Sequence, residues 1–544
     1  MIRERDGPAS FLRTLLTGLP SRKSSLATRI TVAINVVLVL FTLDLLFRGV
    51  IFYPATDLTF SRIGYVSPTT AKLLVREPDR AQLPLIVYSQ EQEHQGDDSW
   101  VVQDVIYLLD DATDFTTPVT LKELKPSTKY RYSLSNNLTG SFTTAPLPGS
   151  ASANQLTFLT SSCIKPNFPY SPLSHPLRIP GIAHVSNVVA KLPSLFKPAF
   201  MLFLGDFIYV DVPFRVGSSA SHYRSEYRRV YSSPTWREPK ENPIINLPWI
   251  HALDDHEIAN DWAEGNATPP YPAAVDPFAH YHVSVNPPIP LAPFAGPENT
   301  TYFSFTHGPA SFFIQDTRTY RSRQDSTILG SAQLQSLLAY LARPEPADVK
   351  WKIIGSSVPF TKNWRVGTQD TWGGFLDERR TVLEAMWQAE RELGVRIVLL
   401  SGDRHEFGAT RFPNPELDLE PDGLRPGTGG EGIHEFSVGP LNMFYLPFRS
   451  YRQTDNEDVM VKYIPDGNTK FGQIDIAVHN LQEPFPSSSI TPSSVLTYSL
   501  WLDETVVWKY QLSIPLHHGL GTRLPPGWVL LDKTQGVQDV VTCE

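Results

Sequence analysis

The stretch LFLGDFIYVD, residues 202–211, indicates an α/β fold. Four apolar residues beginning at Met201 run into Gly205, Asp206 follows, and Tyr209 lies three positions further on. Such an apolar run is typical of a buried strand, and an acid directly after it falls at the strand's carboxyl end, where open α/β sheets bind ligands. An ordinary Asp-containing turn after a strand has the same pattern. The remaining sequence must therefore distinguish a functional site from a turn.

Length and composition describe a large globular protein. The chain has 544 residues, which predicts two or three folded units plus extensions. Lys plus Arg number 47 against 56 Asp plus Glu, and the formal charge of -9 at pH 7 argues against nucleic-acid binding. The two cysteines, Cys163 and Cys543, exclude a disulfide framework but leave one long-range bridge open.

An apolar segment near the N-terminus, residues 30–53, is long enough to cross a bilayer as a helix. Asn35, Asp44 and Arg48 interrupt it, but Asp44 and Arg48 are four positions apart and are able to pair on one helix face. The preceding residues 1–29 are basic, which predicts a cytoplasmic tail and a lumenal or extracellular catalytic domain. No A-x-A-like site follows the apolar run, so we expect a single-pass membrane anchor rather than a cleaved signal peptide. Three sequons agree with this orientation: Asn137, Asn266 and Asn299.

Two further patterns divide the rest of the chain. Residues 55–147 alternate as short strands do, and Tyr130 and Tyr132 are typical of the late strands of a fibronectin type III or immunoglobulin-like sandwich, where a tyrosine closes a corner. Over residues 155–515, apolar strands separated by helical stretches predict an α/β sandwich, with the last β-rich stretch completing the second sheet. Residues 516–544 are interpreted as a C-terminal tail.

Four predicted strands end in side chains that ligate metals. They are Cys163 in TFLTSSC, Asp206 and Tyr209 in GDFIY, Asp254, Asp255, His256 and Glu257 in DDHE, and Asp403 and His405 in SGDRH. Strand ends at one sheet edge are neighbours, so we expect these residues to converge. Each motif alone also suits a packed cysteine, tyrosine or histidine. Buried adjacent acids are costly when unpaired, however, and a cation would compensate them.

The donor types indicate mixed metals. A hard cation would take Asp206, Asp403 and an amide oxygen, because Ca²⁺-like ions prefer oxygen ligands. A ferric or zinc ion would accept Cys163 and His405.

The motifs SSC, GDFIY, DDHEIANDW, DTRTYR, LGSAQLQSL, WKIIGSSVPF, TWGGFLDER and SGDRHE stand in an order that resembles the alkaline phosphatase D (PhoD) family of metallophosphatases. The resemblance covers roughly residues 155–480, and a small β module ahead of it is also typical of that family. It implies a calcineurin-like, purple-acid-phosphatase-like β-sandwich flanked by helices. It also implies a centre of one ferric ion with one or two calcium ions, although other divalent metals are compatible. On this chain the implied ligands are Cys163, Tyr209 and His405 for iron, Asp206 as the bridge, and Asp403, Asn260 and Asp255 for calcium. The stretch TWGGF lacks the acid often found in that loop, which bears on substrate range.

The implied activity is hydrolysis of a phosphate ester by metal-activated water. His256 is the candidate for protonating the leaving oxygen, with Glu257 or Asp254 orienting its other ring nitrogen, and a purely structural His256 is the alternative. Asp255 is counted with the catalytic residues as well as with the metal ligands.

Two arginines have a geometry that suits phosphate. Arg404 is interpreted as a catalytic phosphate-binding residue, with a salt-bridge role as the alternative, whereas for Arg318 the salt-bridge role is favoured. Two other functions stay open: a phosphodiesterase or phospholipase-like hydrolase of lipid or wall-polymer head groups, and a non-catalytic surface adhesion or scaffold protein. The oligomeric state is not indicated by the sequence.

Overall fold

Along the chain, one long apolar helix is followed by short alternating strands and then by buried strands separated by helices. The structure, a computed structural model, describes residues 8–21, 24–92, 100–237, 242–288, 300–415, 432–478 and 492–515. The helices are α1 (Pro8–Thr17), α2 (Ser25–Leu43), α3 (Gly49–Phe52), α4 (Pro180–Lys191), α5 (Ala220–Tyr231), α6 (Tyr271–Tyr281), α7 (Gly330–Ala342) and α8 (Leu376–Leu393). The first seven strands are β1 (Phe60–Val66), β2 (Ala71–Arg76), β3 (Leu85–Glu91), β4 (Val101–Ile106), β5 (Thr116–Leu121), β6 (Lys129–Leu134) and β7 (Thr139–Thr143). The others are β8 (Gln155–Ser161), β9 (Met201–Leu204), β10 (Trp249–Ala252), β11 (Phe303–His307), β12 (Ala310–Ile314), β13 (Trp351–Ser356), β14 (Arg396–Ser401), β15 (Phe407–Phe412), β16 (Ile433–Ser437), β17 (Val459–Ile464), β18 (Lys470–Val478), β19 (Pro492–Leu502) and β20 (Thr505–Pro515).

Strands β1 to β7 form a small two-sheet module. One sheet has the order β1-β2-β5 and the other the order β4-β3-β6-β7, and all the pairs are antiparallel. Alternate residues of both sheets, among them Leu73, Val87 and Tyr132, fill one core. The hydroxyl of Tyr130 accepts a hydrogen bond from the Lys125 amide at 2.9 Å and fastens the turn before β6. The module is all-β, whereas its fibronectin or immunoglobulin class stays a prediction.

Two facing sheets form the large domain. The six-stranded sheet has the order β10-β9-β8-β18-β19-β20, and the seven-stranded sheet has the order β11-β12-β13-β14-β16-β15-β17. Residues such as Phe158 and Leu202 from the first sheet pack against Phe312 and Val398 from the second in a shared core. Strands β18 to β20 therefore complete a sheet, as predicted, because they extend the sheet that contains β8.

Helices cover the outer faces of both sheets. Helices α4, α5 and α6 pack on the six-stranded sheet, and α7 and α8 pack on the seven-stranded sheet. Strands covered on both faces are buried along their whole length, as β9, β12 and β14 are. Their sequences are therefore mostly apolar rather than alternating. The α/β prediction is confirmed, and the comparison with calcineurin stays a prediction.

One expectation about this architecture was wrong. The metal-ligating strand ends were expected along a single sheet edge, but β8, β9 and β10 belong to one sheet and β14 to the other. The two sheets face each other, so the ends of their parallel strands still meet.

The N-terminal segment is a long helix. It runs from Ser25 to Phe52 through a π-helical turn over residues 44–48, and its most apolar window has a mean hydropathy of 2.4 with 6% of the window buried. This helix is long and apolar enough to cross a membrane, although a signal sequence would fit the same description. The expected basic tail contains a helix of its own, α1. The side-chain amide of Asn35 in the long helix donates to the carbonyl of Gly18, just after the end of α1, at 2.9 Å. Four of the basic side chains belong to residues 1–7, 22 and 23, which lie outside the described residues. Asn299 and the C-terminal tail with Cys543 also lie outside them.

The two charged residues of the helix bind each other and the large domain. Asp44 and Arg48 form the expected ion pair at 3.4 Å. Asp44 also accepts from the Tyr170 hydroxyl at 2.8 Å, and Arg48 donates to the carbonyls of Pro172 and Ser174 at 2.9 and 2.5 Å. The C-terminal end of the long helix is therefore attached to the segment that follows Cys163.

The small module is attached to the large domain by buried polar contacts. Arg62 of β1 donates to the carbonyls of Trp249 and Tyr281 at 3.2 and 2.6 Å. Asp114 pairs with Arg228 at 2.6 Å and accepts from the Tyr281 hydroxyl at 2.6 Å. These contacts fix the module against the helical side of the six-stranded sheet.

Candidate metal centre

The turns after the parallel strands carry the candidate ligands in a strained backbone. Cys163, Asp206, Asp403 and His405 have φ values of 65°, 59°, 74° and 54°. This left-handed conformation costs a non-glycine residue about 1–3 kcal/mol, and it persists where the surrounding structure imposes it, often at functional sites. The chain turns sharply at these points and directs short polar side chains into one volume.

The turns bring most of the predicted ligands together, with Asp206 at the centre. Ligand atoms lie within 4.8 Å of one another in three groups that share this residue: Cys163, Asp206 and His405; Asp206, Asp255 and His256; and Asp206, Asp254, Asp255 and Asp403. A carboxylate common to neighbouring groups has the position that a bridging ligand needs.

On one side of Asp206 the candidate metal ligands are a thiol, a phenol and an imidazole. The Tyr209 hydroxyl donates to Asp206 Oδ2 at 2.9 Å and lies 2.8 Å from Nε2 of His405. The Cys163 thiol lies 3.4 Å from the same carboxylate oxygen. Burial and the nearby Asp206 charge raise the pKa of Cys163 and of Tyr209, while burial lowers the pKa of His405 to about 3. A neutral imidazole is ready to ligate, and a bound cation would favour the ionised thiol and phenol.

On the other side of Asp206 the candidate ligands are carboxylate oxygens. Within the described residues, Asp254 Oδ2, Asp255 Oδ1 and Asp403 Oδ2 are buried and accept no hydrogen bond, although Asp255 Oδ1 lies 3.4 Å from Arg318 and Asp403 Oδ2 lies 2.9 Å from Nε of Arg404. Burial raises the pKa of Asp206 and Asp254, and it raises the pKa of Asp403 to about 6. Buried carboxylate oxygens that accept no hydrogen bond destabilise a protein, and hard cations are bound by oxygen ligands of this kind. The residues present therefore fit a metal.

Arg318 neutralises part of this charge. Its Nε donates to Asp254 at 2.5 Å and its two terminal nitrogens hold Asp370 at 2.7 and 2.8 Å, while Asp255 lies 3.4 Å away. The guanidinium is fully buried. Arg318 thus has the salt-bridge role that was favoured, and it fixes the acids of the centre.

Three acids near the centre had no predicted role: Asp211, which is described below, Asp261 and Asp370. Asp255, Asp261 and Asp370 form a further group with ligand atoms within 4.8 Å. Asp370 directly precedes the TWGGF stretch, so this loop does bring an acid to the site. Because Asp370 lies in a loop far from any predicted strand end, only its position beside that stretch was a signal.

Glu257 holds the backbone of the site. Its carboxylate accepts from the amides of Asp206, Phe207 and Asp254 at 3.0, 2.5 and 2.9 Å. Glu257 therefore joins the turn after β9 to the turn after β10. This structural role explains why an acid stands here although it is not one of the candidate ligands.

His256 is oriented by a different residue than expected. Its Nδ1 lies 2.6 Å from Asp211, whose other oxygen accepts from the Asn260 amide at 2.7 Å. The expectation that Glu257 or Asp254 orients this ring was wrong, because Glu257 binds backbone amides and Asp254 binds Arg318. Burial opposes a charge on His256, but Asp255, Asp206 and Asp211 outweigh it and raise the pKa of His256 well above its ordinary value.

Two predicted site residues lie at the rim. Asn260 is exposed, and its backbone amide contacts Asp211, so its role as a metal ligand stays a prediction. Arg404 donates to the carbonyls of Val366 and Gly367 at 3.2 and 2.9 Å, and its Nε is 2.9 Å from Asp403. Its role toward phosphate likewise stays a prediction.

Comparison with known proteins gives the family and the fold of this chain. A family model described as PhoD-like phosphatase matches residues 158–482, which is more than half of the chain. A solved structure of PhoD matches with a TM-score of 0.60 and 17% identity over 85% of this chain and 91% of that chain, which shows a common fold. The sensor domain of the anti-sigma factor RsgI4 from Pseudobacteroides cellulosolvens (18% identity, 16% of this chain, 96% of that chain, TM-score 0.14) and a computationally redesigned β sandwich protein (21% identity, 16% and 95%, TM-score 0.13) are too weakly similar to support a conclusion. Among curated proteins, none matches significantly. The chain belongs to the PhoD-like phosphatase family, whose members are metal-dependent phosphatases acting on phosphate esters.

Proposed function

We propose that this protein is a membrane-anchored phosphoric ester hydrolase with a centre of ferric and calcium ions. The observation that carries the proposal is the convergence on Asp206 of buried carboxylate oxygens that accept no hydrogen bond within the described residues. Asp206 also belongs to the group with Cys163 and His405. Family membership supports the reaction class. The protein's own geometry supports the assignment of residues.

The two sides of Asp206 differ in donor chemistry. Cys163, Tyr209 and His405 would hold iron together with Asp206, since ferric ions accept thiolate, phenolate and imidazole. Calcium would be held by Asp206, Asp255, Asp403 and the amide oxygen of Asn260, and other divalent metals would suit the same oxygens. When bound, the ions supply Lewis-acid activation of water and charge stabilisation at the phosphate.

The protein's residues supply proton transfer and orientation. Asp211 holds Nδ1 of His256, so Nε2 is the nitrogen left to protonate the leaving oxygen as the bond from phosphorus to that oxygen breaks. Arg404, at the rim, would bind a phosphate oxygen, because its planar guanidinium matches phosphate. Asp255, held 3.4 Å from Arg318, contributes to the negative charge that raises the pKa of His256.

The long N-terminal helix would anchor the protein with its large domain in the lumen or outside the cell. Its middle presents exposed apolar side chains such as Val37, Leu38 and Val39. Asn137 and Asn266 are exposed, as glycosylation acceptors must be. The small module would be a fibronectin type III-like domain, since its sheets divide into three and four strands around a tyrosine-closed corner.

A second candidate function is hydrolysis of phosphodiesters in lipid or polymer head groups. It is favoured by the attachment of the membrane helix, through Arg48, to the segment that follows Cys163. That contact would place the metal centre close to the membrane surface.

Elemental analysis combined with an activity panel tests the proposal. We expect full-length protein in amphipol to contain iron and calcium and to hydrolyse phosphomonoesters, phosphodiesters or both. Asp403→Asn should lose activity, whereas Asp57→Asn, an exposed acid remote from the centre, should keep it. Metal-free protein inactive on both ester classes after reloading with iron and calcium would overturn the proposal and leave adhesion or scaffolding as the function. Diesterase activity restricted to lipid substrates would favour the second candidate.

A further inference from the structure

We propose that a cavity between the small module and the large domain binds an amphiphilic carboxylate, a fatty-acid-like anion, at a site separate from the metal centre. The cavity has a volume of about 350 Å³, within the range of ligand sites. Strand β1, the start of β10 and the connection between α5 and β10 form its walls. None of the lining residues is a candidate metal ligand.

The body of the cavity is apolar. Its wall is mainly aromatic and aliphatic, with contributions from Phe60, Phe207, Tyr231, Trp236, Ile244 and Leu247. The buried rings of Phe60 and Tyr231 stack with centroids 4.8 Å apart. A rigid apolar wall of this kind suits an alkyl chain or a flat hydrocarbon ring.

Polar groups without partners also line the cavity. Within the described part of the chain, Trp249 Nε1, Arg62 Nε and both ring nitrogens of His251 are buried and form no hydrogen bond. These three residues are 4%, 8% and 1% exposed, so solvent does not readily satisfy them. Buried donors without acceptors are rare in native structures and destabilise them. An acceptor-rich head group inside the cavity would satisfy the donors of Trp249 and Arg62.

The charge of the lining favours an anion. Arg62 and Arg237 line the cavity, and none of its described lining residues is acidic. Arg237 is exposed and donates to the Thr59 carbonyl at 3.3 Å, the one hydrogen bond that it makes within the described residues, and its planar guanidinium has further N–H groups that suit a carboxylate. An alkyl carboxylate combines the apolar body and the anionic head that these walls fit.

A photoreactive octanoate carrying a diazirine tests the site on the full-length protein in amphipol. Mass-spectrometric mapping should place the label on peptides containing residues 59–62 or 231–251. Excess octanoate should displace the label, whereas octanol and octyltrimethylammonium should not. Labelling elsewhere, or equal competition by octanol, would overturn the proposal.

Two variants and one control sharpen this test. Ile245→Trp fills the rim of the cavity and should abolish labelling. The control is Val507→Trp, which should not abolish it. Val507 and Ile245 are equally exposed (39%), but Val507 lies on β20, at the edge of the six-stranded sheet opposite to β10. Arg237→Gln should weaken octanoate competition about tenfold or more, because a hydrogen bond to a charged group is lost. Circular dichroism confirms that each variant is folded. Unchanged labelling in folded Ile245→Trp protein, or an undiminished affinity in Arg237→Gln, would reject the site.

Discussion

The imidazole of His256 and the carboxylate of Asp211 face each other at 2.6 Å, a pairing that fixes which ring nitrogen is free for chemistry. Asp211 is in turn held by the Asn260 amide at 2.7 Å. The ring of His256 lies against that of Tyr209, with centroids 4.1 Å apart. A histidine fixed by Asp211 beside the candidate ligands has the position of a general acid.

His256→Ala should therefore impair proton donation and leave the metals in place. We expect turnover to fall about 10²–10⁴-fold on esters with poor leaving groups, because their leaving oxygen needs a proton. The loss should be much smaller with an activated aryl phosphate. Steady-state kinetics on both substrate types and elemental analysis of the same protein check this. Loss of metal, or an equal loss of rate on both substrates, would mean that His256 is a ligand or a structural residue.

A second prediction concerns the bridging position of Asp206. Asp206→Asn should lower both iron and calcium content and reduce activity to background, because a neutral amide bridges cations poorly. Variants of unshared ligands provide matched controls: Cys163→Ser should lower mainly iron, and Asp403→Asn mainly calcium. Inductively coupled plasma mass spectrometry of the three proteins measures this. If Asp206→Asn removed one metal alone, Asp206 would not be a bridge.

A third prediction concerns colour. If Tyr209 and Cys163 both ligate ferric iron, the oxidised protein should absorb visible light through ligand-to-metal charge transfer. Tyr209→Phe should shift or bleach that band, whereas Tyr170→Phe, a tyrosine bound to Asp44 instead, should leave it unchanged. Absorption spectra of equally iron-loaded proteins decide the matter. A colourless, fully active protein containing zinc would contradict the iron assignment.

The positions of the candidate strand-end ligands were predictable because each follows an apolar run that is typical of a buried strand. Cys163, Asp206, Asp255 and Asp403 were identified in this way. Sheet membership was not predictable, since β14 is as completely buried as β9 and nothing local assigns it to the opposite sheet. Asp370 was missed because it reaches the site from a loop, through Arg318.

A fourth prediction concerns the joint between the two domains. Asp114, with its side chain 4% exposed, is bound by Arg228 and Tyr281 at 2.6 Å each. Asp114→Asn should destabilise the protein by about 3–5 kcal/mol at pH 7, because it leaves a buried cation without its partner. Asparagine tolerates the φ of 54° at this position, so backbone strain is not introduced. Denaturant midpoints measure the loss, with exposed Asp111→Asn as the control.

The pH dependence of this loss has a definite sign. Burial alone would raise the pKa of Asp114, but Arg228, Tyr281 and Arg76 together lower it below its ordinary value. A carboxyl group with a lowered folded-state pKa contributes its full stabilisation above the unfolded pKa of about 3.9, and this contribution is lost as pH falls through the folded value. The gap between the natural protein and Asp114→Asn should therefore narrow below about pH 4. A gap that stayed constant down to pH 2.5 would show that the charge of Asp114 is not what stabilises the joint.

The fifth prediction concerns the N-terminal helix, which fits both an anchor and a signal sequence. Asp44 and Arg48 contact the large domain through Tyr170, Pro172 and Ser174, contacts that a cleaved segment would not keep. We expect the helix to remain in the mature protein, so an N-terminal tag should persist and the protein should resist alkaline extraction from membranes. In sealed vesicles with the cytoplasmic face outward, protease should remove the tag and spare the large domain until detergent is added. Asn137→Gln should also remove one glycan, seen as increased gel mobility, because Asn137 is exposed on the predicted non-cytoplasmic side. A soluble protein that had lost its tag would identify a signal sequence, and digestion of the large domain in intact vesicles would reverse the orientation.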